Sequence, residues 1–360
     1  MSRTGKPFSI IKLLLSLVLV AVLFVVGAFL ALTLTEYKPA DIEAVEPAGE
    51  LSSEGKTAAA GQSMTIVSFN TGYAALGEDA DFFMDGGKTS KPENSDVVNT
   101  NMQGIAGILS GLDADIYMLQ EVDIDSARSF GIDEAGFYCM ELGLPYLYAL
   151  NYSAKFVPYP VSDMIGKVNS GLATYTGYGV AEASRIQLPI PFSWPVRCFN
   201  LKRCLLVSRL PLEGSDRELV IVNLHLEAYD DGEGKIAQTA MLYNFLEDEY
   251  AKGNYVIAGG DFNQTFPGAY SYPALTEGCW MPGTLDPNLP EGFSVVFCEG
   301  DNPTCRLLDV PYKGNDNPQY YIIDGYLVSS NVRVDSVEVI DCGFKYSDHQ
   351  PVRLEVTLAD

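Results

Sequence analysis

The chain contains only two histidines, and each belongs to an apolar, β-like run: ELVIVNLH ends at His225, and FKYSDHQPVRLEVTL carries His349. Histidine is the side chain best suited to moving protons near neutral pH, and a neighbouring carboxylate such as Asp348 can orient or charge it. Six segments deliver a polar side chain at or near the end of an apolar run. They are MTIVSFN at Asn70, ADIYMLQE at Glu121, ELVIVNLH at His225, NYVIAGGDFN at Asp261 and Asn263, QYYIIDGYLVSS with Asp324, and the Ser347–His349 triplet. One such residue would read as a turn former or a cap. Six of them, all oxygen donors or imidazole and none sulfur, form a set suited to Mg²⁺ or Mn²⁺. No GxSxG nucleophile motif accompanies them, so water is the expected nucleophile.

These residues need a rigid frame, and the intervening sequence supplies one. MQGIAGILSGL, Met102 to Leu112, places Ile105, Ile108, Leu109 and Leu112 on one helical face. KIAQTAMLYNFLEDEY, Lys235 to Tyr250, does the same with Ile236, Ala240, Tyr243 and Leu246. Each helix connects two of the strand-like runs, so an α/β fold with helix-covered sheets is expected.

Upstream, Leu13 to Leu34 is an uncharged apolar stretch long enough to cross a bilayer, and longer than the apolar core of a cleavable signal. Arg3, Lys6 and Lys12 precede it, whereas Glu36, Asp41, Glu43, Glu46 and Glu50 follow it. The positive-inside bias then puts residues 1–12 in the cytoplasm and the remainder outside, on a retained single-pass anchor at residues 13–34 in the cell membrane. Residues 35–62, with Pro39, Pro47, Gly49, Gly55 and Gly61 and no apolar period, read as a flexible linker. Residues 63–360 suit one catalytic domain with an ample core. The net charge of −24, with no cluster of Lys or Arg, disfavours a polyanionic partner unless a bound cation reverses the local field. Of seven cysteines, Cys198 with Cys204 and Cys298 with Cys305 are close enough in sequence to pair, and the absence of a CxxC spacing argues against structural zinc.

The ordered series SFN, LQE, NLH, GGDFN, IDGYLVS and SDHQPV, spread over residues 64–358, resembles the endonuclease/exonuclease/phosphatase superfamily of divalent-metal phosphoesterases, which includes DNase I, sphingomyelinases and inositol polyphosphate 5-phosphatases. The resemblance implies a four-layer α/β sandwich, two mixed sheets flanked by helices, with the site at one end. It also implies roles. Glu121 with Asn70 holds the metal, and Asp348 completes the metal or phosphate environment. Asp261 and Asn263 position water, a second metal or phosphate; His225 donates to a phosphate oxygen; Asp324 and His349 form an acid/base pair.

Two departures matter. Gly325 stands where the family places an aromatic, which is expected to loosen the packing beside Asp324. NLHLEAYD is similar to the histidine motif of the lipid-cleaving and phosphatase branches, which tilts the substrate toward a lipid headgroup or a small phosphoester and away from nucleic acid. Residues 145–196, dense in Tyr, Phe, Pro and Trp194, could rim the site and touch lipid, or pack beneath their own loop. Lys202 and Arg203 read as solvated surface or as phosphate contacts. The function expected is a membrane-anchored Mg²⁺-dependent phosphoesterase, with a surface nuclease or a non-catalytic binding protein as alternatives.

Overall fold

A computed structural model describes residues 10–49, 55–230 and 232–359; Arg3, Lys6 and Glu50 lie outside the described residues. The chain runs α1 (Ile10–Leu34), β1 (Ile42–Ala44), β2 (Ser63–Asn70), α2 (Ser95–Leu112), β3 (Ile116–Asp123), α3 (Glu134–Leu142), β4 (Tyr146–Val157), β5 (Gly166–Thr176), β6 (Glu182–Gln187), β7 (Cys204–Pro211) and β8 (Glu218–His225). It continues with α4 (Glu233–Ala251), β9 (Tyr255–Asp261), β10 (Gln264–Thr265), β11 (Gly283–Thr284), β12 (Phe293–Val296), β13 (Cys305–Arg306), β14 (Tyr320–Tyr321), β15 (Asp324–Ser329), β16 (Val332–Val339) and β17 (Val352–Leu358).

Two mixed sheets carry the fold, in the orders β1-β6-β7-β8-β9-β15-β12 and β16-β17-β2-β3-β5-β4. Each contains one parallel pair, β2 with β3 and β8 with β9, bridged by α2 and α4 respectively. A parallel pair needs such a crossover, so both polar strand ends of each unit emerge on the same side. The sheets face each other across Ile66, Met118, Ile221, Ile257 and Leu354. A second apolar layer packs α4 on one sheet through Leu242 and Leu246, and a third packs α2 and α3 on the other through Ile105, Leu109 and Tyr138. This is the expected four-layer sandwich.

Each helix has a local cause. Asn94 caps α2 by accepting from the backbone N–H groups of Asp96 and Val97. Its buried face includes Ile105 and Leu109, with Ile108 and Leu112 half-buried. The expected face of α4 is corrected: Ile236 is 71% exposed and Ala240 is exposed, whereas Gln238, Thr239, Leu242, Leu246 and Glu249 are buried. Polar anchors turn the helix. Gln238 accepts from Glu227 N–H and donates to Pro189 O, Gln264 donates to Thr239, and Glu249 accepts from Arg209.

The 35–62 segment is also corrected, because its described part is attached to the domain rather than free. Ile42–Ala44 pairs with β6, and Ala48, Lys56 and Ala58 make isolated bridges to Tyr146, Tyr178 and Leu212. These contacts run through the backbone, so a composition rich in Pro, Gly and acid does not prevent them. All seven cysteines are free thiols, including the two candidate pairs.

Candidate functional site

The polar strand ends meet at one end of the sandwich. His225, Asp261 and Asp324 stand level on three adjacent strands: His225 is registered with Asp261 across β8 and β9, and Asp261 with Asp324 across β9 and β15. Asn70 and Glu121 come from β2 and β3 of the opposite sheet, and Ser347–His349 from the turn before β17, the neighbour of β2. Beneath them, Gln120 donates to the Asn223 side chain at 2.8 Å, and Asn223 donates to Leu119 O and Ala173 O at 3.1 Å. These two members of the LQE and NLH motifs join the sheets. Their buried position between strands was not foreseen from sequence, although membership of the motifs was a usable signal.

Backbone geometry aims the side chains. Glu121 sits at φ 54° where the β3–β5 register shifts between Leu119 and Val122, so the bulge turns its carboxylate out of the ladder. Asn263 lies at φ 50°, again a left-handed conformation on a non-glycine residue. Just before Asp261, Gly260 has φ 147°, and a Cβ there would fall 1.9 Å from Leu224 O, so no larger residue fits. Gly325 corrects the expectation of loose packing. A Cβ there would sit 2.8 Å from the Phe266 ring, so an aromatic brought from far along the chain fills the space beside Asp324.

All eight candidate residues form one connected cluster. His349 Nδ1 lies 2.9 Å from Asp324 Oδ2, and His349 Nε2 lies 3.7 Å from Asp261 Oδ2 and 4.0 Å from Asp348 Oδ2. His225 Nε2 is 3.3 Å from Asp261 Oδ2 and 4.0 Å from Glu121 Oε1. Asn263 donates its backbone N–H to Asp261 Oδ1 at 2.8 Å and its amide to Leu226 O at 2.9 Å. Asn70, expected to help hold the metal, stands between Glu121 and Asp261. Its oxygen accepts from Gly72 N–H at 3.0 Å, so its NH₂ faces Asp261 at 3.0 Å and Glu121 at 3.4 Å, a donor's position.

Electrostatics separates the two imidazoles. Burial, reinforced by Arg203 and His349, pushes His225 well below its ordinary value, so it is neutral at pH 7. Burial opposes protonation of His349 too, but Asp324, with Cys305 and Asp261, raises it well above the usual range. Burial lifts Asp261 to about 7 despite His349, with Asp324 adding to the rise. Asp348 is lifted to about 6 by burial, again against His349, with Glu121 adding to the rise. Crowded buried carboxylates of this kind are the donor set that a hard divalent cation relieves. His225 Nδ1 and Asp324 Oδ1 have no protein hydrogen-bond partner. The residues therefore fit a divalent metal: Glu121 and Asp348, with Asp261 beside them, would hold it.

Three arginines surround the cluster. Arg128 grips Asp123 with two hydrogen bonds at 3.0 and 2.9 Å and lies 3.6 Å above the Tyr73 ring. Arg203 pairs with Glu227 at 3.2 Å and donates to His225 O. Arg203 and Lys202 are both buried, which corrects their reading as solvated surface; Lys202 pairs with Glu36. Arg306 donates to Gly77 O at 2.8 Å and makes no ion pair among the described residues. Sequence reasoning missed Arg128 and Arg306. Their signal is burial, which a sequence does not display.

Six of the eight candidate residues, Glu121, His225, Asp261, Asn263, Asp348 and His349, line a pocket of about 410 Å³ that is otherwise largely apolar, with Tyr152, Tyr159, Phe192, Val196 and Phe199 among its lining residues. The aromatic stretch 145–196 thus divides between β4 to β6 and the rim of the pocket.

Solved structures share this fold. An endonuclease/exonuclease/phosphatase from Beutenbergia cavernae DSM 12333 superposes with a TM-score of 0.56 at 15% identity, covering 83% of this chain and 72% of that one. ANGEL2, described as a 2′,3′-cyclic phosphatase, gives 0.53 at 15% identity, covering 82% and 95%. Truncated Caenorhabditis elegans TDP2 gives 0.51 at 17% identity, covering 83% and 99%. No curated protein matches the chain in sequence. Residues 97–349 match the family model described as Endonuclease/Exonuclease/phosphatase family, and the chain belongs to that family.

Proposed function

We propose that the chain is a membrane-anchored, Mg²⁺- or Mn²⁺-dependent phosphoesterase that hydrolyses a phosphodiester or phosphomonoester by attack of water. The observation that carries this reading is the His349–Asp324 pair at 2.9 Å, set 3.7 Å from Asp261 and opposite His225. Asp324 fixes the imidazole with Nδ1 toward itself, leaving Nε2 to exchange a proton with water held by Asp261 and Asn263. His225, neutral and held by Arg203 through its carbonyl, presents Nε2 as a donor toward a phosphoryl oxygen. A divalent cation, when bound, supplies the positive charge that an acidic chain otherwise lacks.

The anchoring part rests on α1, a 25-residue helix that is apolar apart from Lys12, Ser16 and Thr33 and none of whose residues is buried in the domain. Orientation with the N-terminus cytoplasmic follows from the charge bias flanking it. An apolar pocket wall and a net charge of −24 favour a lipid headgroup or small phosphoester over nucleic acid.

The test is incubation of the full chain in mild detergent with Mg²⁺ against DNA, RNA, a phospholipid, an inositol phosphate and bis(p-nitrophenyl) phosphate. Metal-dependent release from the lipid, inositol or aryl esters is expected. Release only from DNA or RNA would make it a nuclease, and release from none would make it a non-catalytic member of the family.

A further inference from the structure

Resting on the anchored phosphoesterase reading, we propose that the pocket opens onto the membrane crossed by α1. Two apolar loops beside that helix dock into the lipid interface, so the substrate is an amphiphilic phosphoester of the same membrane.

The catalytic domain does not hang from α1. Glu36, two residues past the helix end, is buried between Arg197 Nε at 3.1 Å and Lys202 Nζ at 3.4 Å, and Lys202 also donates to Arg197 O. Trp194 Nε1 donates to Thr33 Oγ1 at 3.0 Å, and its ring packs on Phe29 with centroids 5.4 Å apart. At about 1.5 Å of rise per residue, Phe29 lies on the order of 7 Å back along the helix from Leu34. Trp194 therefore reaches below the top of the span, where an indole finds both apolar chains and a polar boundary.

The same stretch is the pocket rim, since Phe192, Val196 and Phe199 line the cavity that ends at His349. A second loop joins it. Tyr152 at the base of the β4–β5 hairpin donates to Phe199 O at 3.0 Å, and Phe199 and Leu201 pack with Tyr152, Val157 and Ile165. The hairpin's outer part leaves Phe156, Tyr159, Val161 and Met164 exposed, Val161 at 78%, while Ile190, Trp194 and Val196 are exposed on the first loop. Large apolar side chains clustered beside a membrane helix would otherwise face water at a cost, and insertion into lipid removes it. The occupant is a bilayer rather than a protein because the patch is continuous with the flank of α1 through the Trp194–Phe29 contact. With a net charge of −24, docking depends on apolar insertion and not on anionic headgroups. A lipid phosphoester then enters with its apolar part against Tyr159 and Phe192 and its phosphate toward His225 and His349.

The full chain carrying Trp280→Phe, which leaves Trp194 as the sole indole, is reconstituted into phosphatidylcholine vesicles and floated. Lipids brominated at the 6,7 positions should quench Trp194 more strongly than lipids brominated at 11,12. No quenching in floated protein would overturn the proposal, and protein that fails to float would overturn both it and the anchoring reading.

The second arm compares hydrolysis of vesicle-borne hexadecyl p-nitrophenyl phosphate with that of bis(p-nitrophenyl) phosphate in water. Val161→Asp/Met164→Asp should lower the first by about tenfold and leave the second unchanged. Equal rates on both, or equal losses on both, would overturn the proposal. If neither ester is cleaved by the parent chain, the phosphoesterase reading fails on its own and the quenching arm alone decides the docking.

Discussion

Asp261 stands directly opposite Asp324 in the β9–β15 ladder, and His349 lies between them, 2.9 Å from Asp324 and 3.7 Å from Asp261. Two buried carboxylates thus share one imidazole, each on a different nitrogen. Asp324 governs where the proton on Nδ1 points, and Asp261 governs what Nε2 encounters.

If His349 and Asp324 act as one unit, their substitutions are not additive. His349→Ala should lower turnover of bis(p-nitrophenyl) phosphate by about two to four orders of magnitude, Asp324→Asn nearly as much, and the double substitution little more. Steady-state rates for the four proteins check this. Multiplicative losses would mean that the two residues act independently, and near-normal turnover of His349→Ala would leave it a structural residue.

Glu121 is the candidate ligand least engaged by protein, with its Oε1 3.4 Å from Asn70 Nδ2 and its side chain 26% exposed toward the pocket. EDTA should abolish activity and Mg²⁺ or Mn²⁺ restore it. Glu121→Gln should raise the metal concentration for half-maximal rate by at least about tenfold, because a neutral amide binds a hard cation weakly. Activity that persists in chelator would exclude the metal mechanism.

With two histidines, selective isotope labelling gives two imidazole signals. In chelator, His225 should titrate below 6.5 and His349 above it, and Asp324→Asn should bring His349 down. The linkage signs are opposite. The raised value of His349 contributes stability that is complete below the unfolded value of about 6.5 and is lost as pH rises through the folded one. The lowered value of His225 contributes stability above about 6.5 that is lost as pH falls through its folded value. Coincident titrations would contradict the assigned environments.

Away from the site, Glu249 is held at about 2: burial alone would raise it, but Arg209, Lys252 and Asn254 bind the charged form. Its contribution is present above the unfolded value of about 4.3 and is lost as pH falls through about 2. Glu249→Gln should cost about 1.5–3 kcal/mol at pH 7. Urea midpoints should show that gap closing across the acidic window; a gap independent of pH would assign the loss to packing.

The eight residues of the cluster were legible because the sandwich gathers strand ends, and a polar residue closing an apolar run marks such an end. What was hidden depends on partners remote in sequence. Gly325 looks like a gap until Phe266 is seen to fill it. Ile236 and Ala240 look like the inner face of α4 until Gln238, Thr239 and Glu249 find their buried partners. Lys202 reads as solvated until Glu36 meets it. Residues 42–44 carry no strand signature because the edge of β6 recruits their backbone rather than their side chains.

The Gln120–Asn223 bond has a mechanical consequence. Asn70 and Glu121 ride on one sheet, while His225, Asp261 and Asp324 ride on the other, so the candidate site is a seam between two plates. A slide of one residue along a strand is about 3.3 Å, enough to carry Asn70 out of reach of Asp261 while both plates keep their own ladders. The Gln120 and Asn223 amides pin the plates against that slide just beneath the seam. On the proposed phosphoesterase reading, turnover would gauge shear between intact sheets, and agents that loosen the sandwich should silence the protein before they melt it.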